Sequence, residues 1–128
     1  MTLDPHALKK AVPRLQKEAN IWLATVRPDG RPHLVPIWFV WHDNKIWMCT
    51  PESSQKVRNL HDNSSATVAL EDGGSPVIME GATIVRPVDA CPDTTALAFK
   101  QKYDWDVRAD NDEDNVLIEF TPIRLIAW

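Results

Sequence analysis

Ile46-Trp47-Met48-Cys49 runs directly into Thr50-Pro51-Glu52-Ser53-Ser54-Gln55-Lys56-Val57-Arg58-Asn59-Leu60, and the passage from one to the other decides how the chain is read. The first four residues form an unbroken apolar run, which predicts a strand; Val57, Leu60 and His61 then fall at helical spacing, which predicts a short helix. The junction is a strand-to-helix corner. Hydroxyls, first-turn backbone N–H groups and the two cations Lys56 and Arg58 gather at its mouth, and these are the components of an anion site at a helix N-terminus. A phosphate would fit there. The same residues also suit a plain helix start, with Thr50 as N-cap, Pro51 at the first helical position and Glu52 favoured by the dipole. Ser53 or Ser54 could equally be the cap, with Lys56 and Arg58 as solvated charges. P-loop spacing is absent.

Upstream of the corner, His33-Leu34-Val35-Pro36-Ile37-Trp38-Phe39-Val40-Trp41 reads as one long strand. Val35, Ile37, Phe39 and Trp41 share one face and Leu34, Pro36, Trp38 and Val40 the other, so both faces are apolar. Such a strand predicts a closed barrel with a helix or a second subunit packed outside it. Pro36 removes a ladder donor in mid-strand, which suits an edge or a bulge, and an edge would leave neighbouring backbone open to a ligand. Asn20 to Val26 is the preceding strand, Arg27-Pro28-Asp29-Gly30-Arg31-Pro32 the reversal, and His42-Asp43-Asn44-Lys45 the next hairpin turn.

Before these, Asp4-Pro5 opens a helix with Leu8, Ala11, Val12 and Leu15 on one side. Pro13 predicts a break and a second short turn. Beyond the corner, Asp62-Asn63-Ser64 ends the short helix. Strands follow at 65–71 and 77–85, with a bulge or close backbone approach at Glu80-Gly81. Asp93 to Tyr103 is a capped helix with Leu97, Ala98 and Phe99 as its apolar side, 105–115 is acidic and irregular, and strands 116–120 and 123–128 close the sheet with a bend at Thr121-Pro122. The expectation is a mainly β (α+β) domain: a six-stranded antiparallel split β-barrel with peripheral short helices.

At 128 residues the chain fits one domain spanning 1–128. With 18 acidic against 14 basic residues and a net charge of −4, no general nucleic-acid footprint is visible. Cys49 and Cys91 form no C-x-x-C pair or disulfide framework, and no signal peptide or membrane-length apolar run is present, so a cytoplasmic protein without a membrane partner is expected. The histidines His6, His33, His42 and His61 share no metal-ligand spacing with the cysteines, so no metal is expected. Six tryptophans serve core and interface packing, or wall a flat ring system.

In order, Leu23-Ala24-Thr25-Val26, Asp29-Gly30-Arg31-Pro32-His33, Pro36-Ile37-Trp38-Phe39, Thr50 with Ser54-Gln55-Lys56-Val57-Arg58-Asn59-Leu60, Glu71-Asp72-Gly73 and Glu80-Gly81-Ala82 resemble the pyridoxamine 5′-phosphate oxidase-like split barrels. The Ser-Gln-Lys form of the corner is similar to the subgroup that uses the deazaflavin coenzyme F420; the broader family uses FMN. The resemblance implies a homodimer with two flavin-type cofactors at the interface. Carried onto this chain, Ser54, Gln55 and Lys56, helped by Arg58, would hold the cofactor phosphate. Pro36, Ile37 and Trp38 would lie along the ring system, and Thr50 would contact the ribityl-phosphate portion.

The activity so implied is hydride transfer to or from a small conjugated substrate, with FMN or F420 as cofactor. No catalytic acid/base pair is evident. His33 is the nearest candidate proton donor, and Trp105 and Arg108 could reach across a dimer. The lysine-rich face of the first helix, Lys9, Lys10, Arg14 and Lys17, could complement the acidic tail of F420. The chain ends at Ile126-Ala127-Trp128 without the basic residues by which relatives hold pyridoxamine phosphate. A non-catalytic flavin-binding or redox-sensing module and a barrel used only for protein interaction are the alternative classes.

Overall fold

Among the described residues seven strands, β1 (Asn20–Val26), β2 (Pro32–Trp38), β3 (Val40–His42), β4 (Lys45–Pro51), β5 (Ser65–Ala69), β6 (Val77–Pro87) and β7 (Asn115–Ala127), are joined by three α-helices, α1 (Pro5–Lys17), α2 (Gln55–Asp62) and α3 (Asp93–Tyr103). The computed structural model describes residues 3–109 and 114–128; the rest of the acidic segment expected at 105–115 lies outside the described residues. The strands pair antiparallel in one sheet of order β2-β1-β5-β6-β7-β4-β3. Its outermost members, β2 and β3, are joined by Phe39 alone, so the sheet must curl until its first and last strands meet. That is the mainly β split barrel read from the sequence.

The count is seven rather than six because the long strand expected over 33–41 breaks at Phe39. Here the helix α3 replaces the ladder. The Phe39 N–H donates to Tyr103 Oη at 3.0 Å, while its carbonyl accepts from Tyr103 Oη at 2.8 Å and from Lys102 Nζ at 2.9 Å. The Lys102 ammonium lies 3.8 Å from the centroid of the fully buried Phe39 ring. Backbone groups that leave a sheet must find partners elsewhere, and these do.

The barrel interior is filled by Ile21 and Leu23 of β1, Ile46 and Met48 of β4, Met79, Ile118 and Phe120; α1 closes one end with Ala11 and Leu15, and α2 the other with Val57 and Leu60. A second cluster lies outside, where Ala96 and Phe99 of α3, with Val88, Cys91 and Val107, cover Val40, Trp47, Cys49 and Leu117. Only the β3 half of the long apolar segment is therefore buried on both faces. On β2 the outward Leu34, Pro36 and Trp38 stay exposed, contrary to the expectation of a strand covered on both sides, because among the described residues α3 reaches this face only at its end, where Tyr103 stacks on Trp38.

Other expectations need correction. Helix α1 is continuous through Pro13. The N–H that proline lacks would have bonded the carbonyl of exposed Lys9, which water can serve, while Ala11 and Leu15 seat the helix on the barrel. In α3 the buried residues are Thr95, Ala96 and Phe99, and Leu97 is exposed, so its inner face is offset from the one expected. Strand β7 runs unbroken through Thr121-Pro122. Glu80 pairs with Arg124 and Gly81 with Pro122, so the irregularity expected at Glu80-Gly81 places the extra residue, Ile123, on β7. Pro122 is tolerated because β4 stops pairing at Phe120, leaving this stretch of β7 a neighbour on one side only. The hairpin turn Asp43-Asn44 has φ of 56° and 54°, the left-handed pair that a two-residue connection requires.

Candidate functional site

The organising corner forms where β4 gives way to α2. Thr50 is still strand, buried and paired with Val116, on the barrel-facing side with Ile46 and Met48. It does not cap the helix. The N-cap is Ser54, whose side chain makes no capping bond, and among the described residues no other side chain bonds the first-turn amides. The first intrahelical bond runs from the Arg58 N–H to the Ser54 carbonyl at 3.2 Å, so the N–H groups of Gln55, Lys56 and Val57 have no acceptor within the helix. The Ser54 Oγ is buried and likewise makes no hydrogen bond among the described residues.

A polar chain fixes this helix against the barrel. Asn59, fully buried on α2, donates from Nδ2 to Thr25 Oγ1 on β1 at 3.0 Å and accepts at Oδ1 from Gln55 Nε2 at 2.7 Å. Gln55 Oε1 accepts from Arg58 Nη2 at 2.6 Å, and Arg58 Nη1 donates to the Ser53 carbonyl at 2.5 Å. Gln55 and Arg58 thus bind each other and the helix start. Lys56 differs: it is half-buried, burial holds its ammonium below the ordinary lysine range, and among the described residues no carboxylate pairs with it.

Lys56 lies one turn before Asn59 on the same side of α2. Thr25, which Asn59 grips, is the ladder partner of His33, so this geometry brings Lys56 towards His33. The Nδ1 of His33 is buried without a partner, and burial first, then the charges of Arg27 and Lys56, hold the imidazole below the ordinary histidine range. Arg27 is anchored through Nη1 to the Pro32 carbonyl at 2.8 Å. His33 therefore lies within electrostatic reach of Arg27 and of Lys56, the cation in the first turn of α2. Sequence reasoning missed the Thr25–Asn59 link and the part of Arg27. The signal for Asn59 was a polar residue beside Val57 and Leu60 on the inward side of the helix.

Of the residues expected along the ring system, Ile37 faces the barrel interior while Pro36 and Trp38 face outward, all on the outermost strand β2. From His33 to Ile37 is four residues of strand, about 14 Å. Trp38 stacks on Tyr103 with centroids 4.4 Å apart and planes at 6°, and meets the edge of Trp105 at 6.0 Å. Trp105 also packs on Phe99 at 5.7 Å, and Arg108 pairs with Asp93 at 2.6 Å, so both have partners in their own chain. The N-terminal basic group is distant: β1 begins beside α1 and ends beside α2, and Arg14 is held by Glu18 at 2.8 Å and by the Ser75 carbonyl at 2.6 Å. Among the described residues no cluster of histidine, cysteine and carboxylate side chains could hold a metal ion, and no helix is long and apolar enough to cross a membrane.

The model of the pyridoxamine 5′-phosphate oxidase family matches residues 7–128, nearly the whole chain. The chain belongs to the pyridoxamine 5′-phosphate oxidase family. Among solved structures, an F420 reductase is 25% identical, superposes with a TM-score of 0.71, and is matched over 88% of this chain and 92% of its own. A conserved hypothetical protein from Mycobacterium tuberculosis is 24% identical with a TM-score of 0.78, over 94% of this chain and 82% of that one. General stress protein 26 from Bacillus anthracis is 23% identical with a TM-score of 0.70, over 94% and 92%. These likenesses support a flavin-type oxidoreductase at the level of the family.

Proposed function

We propose that this protein is a cytoplasmic, homodimeric oxidoreductase that holds FMN or F420 by its phosphate at the α2 corner and moves hydride between that cofactor and a small conjugated substrate. The observation that carries the reading is the donor set at the corner: the buried Ser54 Oγ, the N–H groups of Gln55, Lys56 and Val57, and the unneutralised Lys56 ammonium. Dipole, amides and cation all favour an anion at this place, and a phosphate uses every one of them.

Several features support the remaining parts of the reading. The stretch Pro36, Ile37, Trp38 runs along the open edge of the sheet, about 14 Å from His33 at the phosphate end, a span suited to a ribityl chain and ring. Thr50 stands near the end of β4 just before the corner, and in this reading it contacts the ribityl-phosphate portion. Bound there, the cofactor supplies the hydride chemistry; the chain binds its phosphate, orients its ring along β2 and excludes water. The outward face of β2 supports a second copy as the cover, since Leu34 is 60% and Trp38 46% exposed beside exposed Pro36. Beside it runs a groove of about 500 Å³ lined in part by Ala24, Pro32, Thr67 and Ile123. The buried thiols Cys49 and Cys91 accord with a reducing compartment.

Titration of purified protein with FMN and with F420, followed by absorbance and fluorescence, tests this. Lys56→Ala should weaken the preferred cofactor roughly tenfold to a hundredfold, the usual effect of losing a charge-assisted bond. If neither cofactor binds, or Lys56→Ala binds as wild type does, the corner is only a helix start.

A further inference from the structure

Holding a phosphate at Ser54 and Lys56 leaves unexplained the histidine that lies within reach of Lys56, with a second cation, Arg27, acting on it. His33 lies across the ladder from Thr25, with Nδ1 buried and unbonded; Thr25 has its hydroxyl engaged by Asn59. The charged groups that act on the imidazole are Arg27, two residues beyond its ladder partner Thr25, and Lys56, one turn before the Asn59 that holds Thr25, both positive. In the adjoining turn, Asp29 is taken up by Arg31 at 2.8 Å, and at the corner Glu52 pairs with His61 at 3.2 Å. No acid in the described part of the chain answers the cluster.

We propose that the corner is built for a terminal phosphate monoester, and that His33 takes a proton from solvent as this dianion docks, so that Lys56, Arg27 and His33 together meet its charge. The inference rests on the phosphate reading of the corner. Two fixed cations beside an imidazole favour its neutral form, and histidine is the one of the three that can lose its charge near neutrality. A monoester carries close to two negative charges at neutral pH, so its arrival reverses the field at the imidazole, and a phosphate oxygen is the acceptor that a protonated Nδ1 needs. A phosphate diester carries one charge, which Lys56 and the helix N-terminus already answer. The phosphate of FMN is a monoester, whereas that of F420 is a diester, so the same chemistry separates the two cofactors.

The test is calorimetric titration near neutral pH in two buffers of different ionisation enthalpy, which counts protons taken up on binding. With wild-type protein, FMN should bind with uptake approaching about one proton, and its affinity should fall by up to about tenfold per pH unit above the histidine range. F420 should bind more weakly with little uptake. His33→Gln, which keeps a polar side chain but cannot be protonated, should fold as wild type by circular dichroism, bind FMN more weakly and show neither uptake nor the alkaline fall. FMN binding that depends on Lys56 but takes up no proton, or that takes it up equally in His33→Gln, overturns the role of His33 while the phosphate site stands. Tighter binding of F420 than of FMN overturns the monoester assignment. Failure of both cofactors to bind removes the phosphate site itself, and the inference with it.

Discussion

Tyr103→Phe removes one oxygen atom from the place where the barrel changes strands, and the structure sets the cost. The Tyr103 hydroxyl accepts from the Phe39 N–H at 3.0 Å, and the carbonyls of Phe39 and Ala19 both lie at 2.8 Å as acceptors for its proton. Without it the Phe39 N–H, on a fully buried residue, has no partner, whereas the Phe39 carbonyl keeps Lys102 Nζ at 2.9 Å. An unsatisfied buried group costs about 1–3 kcal/mol. In a domain of this size that lowers Tm by roughly 3–15 °C. The stacking of the ring on Trp38 is retained, so the loss belongs to the hydroxyl. Thermal unfolding followed by circular dichroism measures it. Because Tyr103 is the chain's one tyrosine, phenolate absorbance gives an independent check on its burial. Burial pushes this phenol up to about 12 from an ordinary value of 10, against the Phe39 hydrogen bond, which acts the other way. The folded value lies above the unfolded one, so the stabilisation is complete below pH 10 and is lost as pH rises towards 12. A Tyr103→Phe variant melting with wild type, together with a phenolate midpoint near 10, would refute the account of the strand break.

Lys102 should give the opposite pH trend: burial lowers it to about 8 from 10.5, so between those values the unfolded chain binds more protons and stability rises with pH. Denaturant unfolding across that window should show the rise in wild type and a flatter profile in Lys102→Met, the residue from Lys56 being of the same sign; an unchanged slope would contradict a desolvated Lys102. Gly81→Ala should lose about 1–3 kcal/mol by overpacking, since a Cβ there would strike the Thr121 carbonyl and the Phe120 ring, and an unshifted unfolding midpoint would show that β6 and β7 part easily at this point.

Features decided within a few residues were legible in the sequence. The apolar run Ile46 to Cys49, the Asp43-Asn44 reversal and the helix at Asp93 to Tyr103 each carry their signal locally, and each stands where it was expected. The break at Phe39 was not legible, because the groups that satisfy its backbone come from Tyr103, 64 positions along the chain. Pro13 misled for a related reason: a local helix breaker was outweighed by the seat that Ala11 and Leu15 find on a barrel built from later strands.

The corner divides in the same way. That a short helix succeeds the strand follows from short-range pattern, but the pattern left its cap open among Thr50, Ser53 and Ser54, and it is Ser54 that begins the helix. What the pattern could not tell is that Gln55 and Arg58 bind each other, because that depends on Asn59 being drawn inward to Thr25. Nor could it bring His33, on a strand before the corner, up to Lys56 on the helix after it. One buried amide on an otherwise apolar helix face thus draws Gln55 and Arg58 into the bonding of the helix start. It leaves Lys56 apart from that chain of bonds, a half-buried cation that no carboxylate among the described residues neutralises.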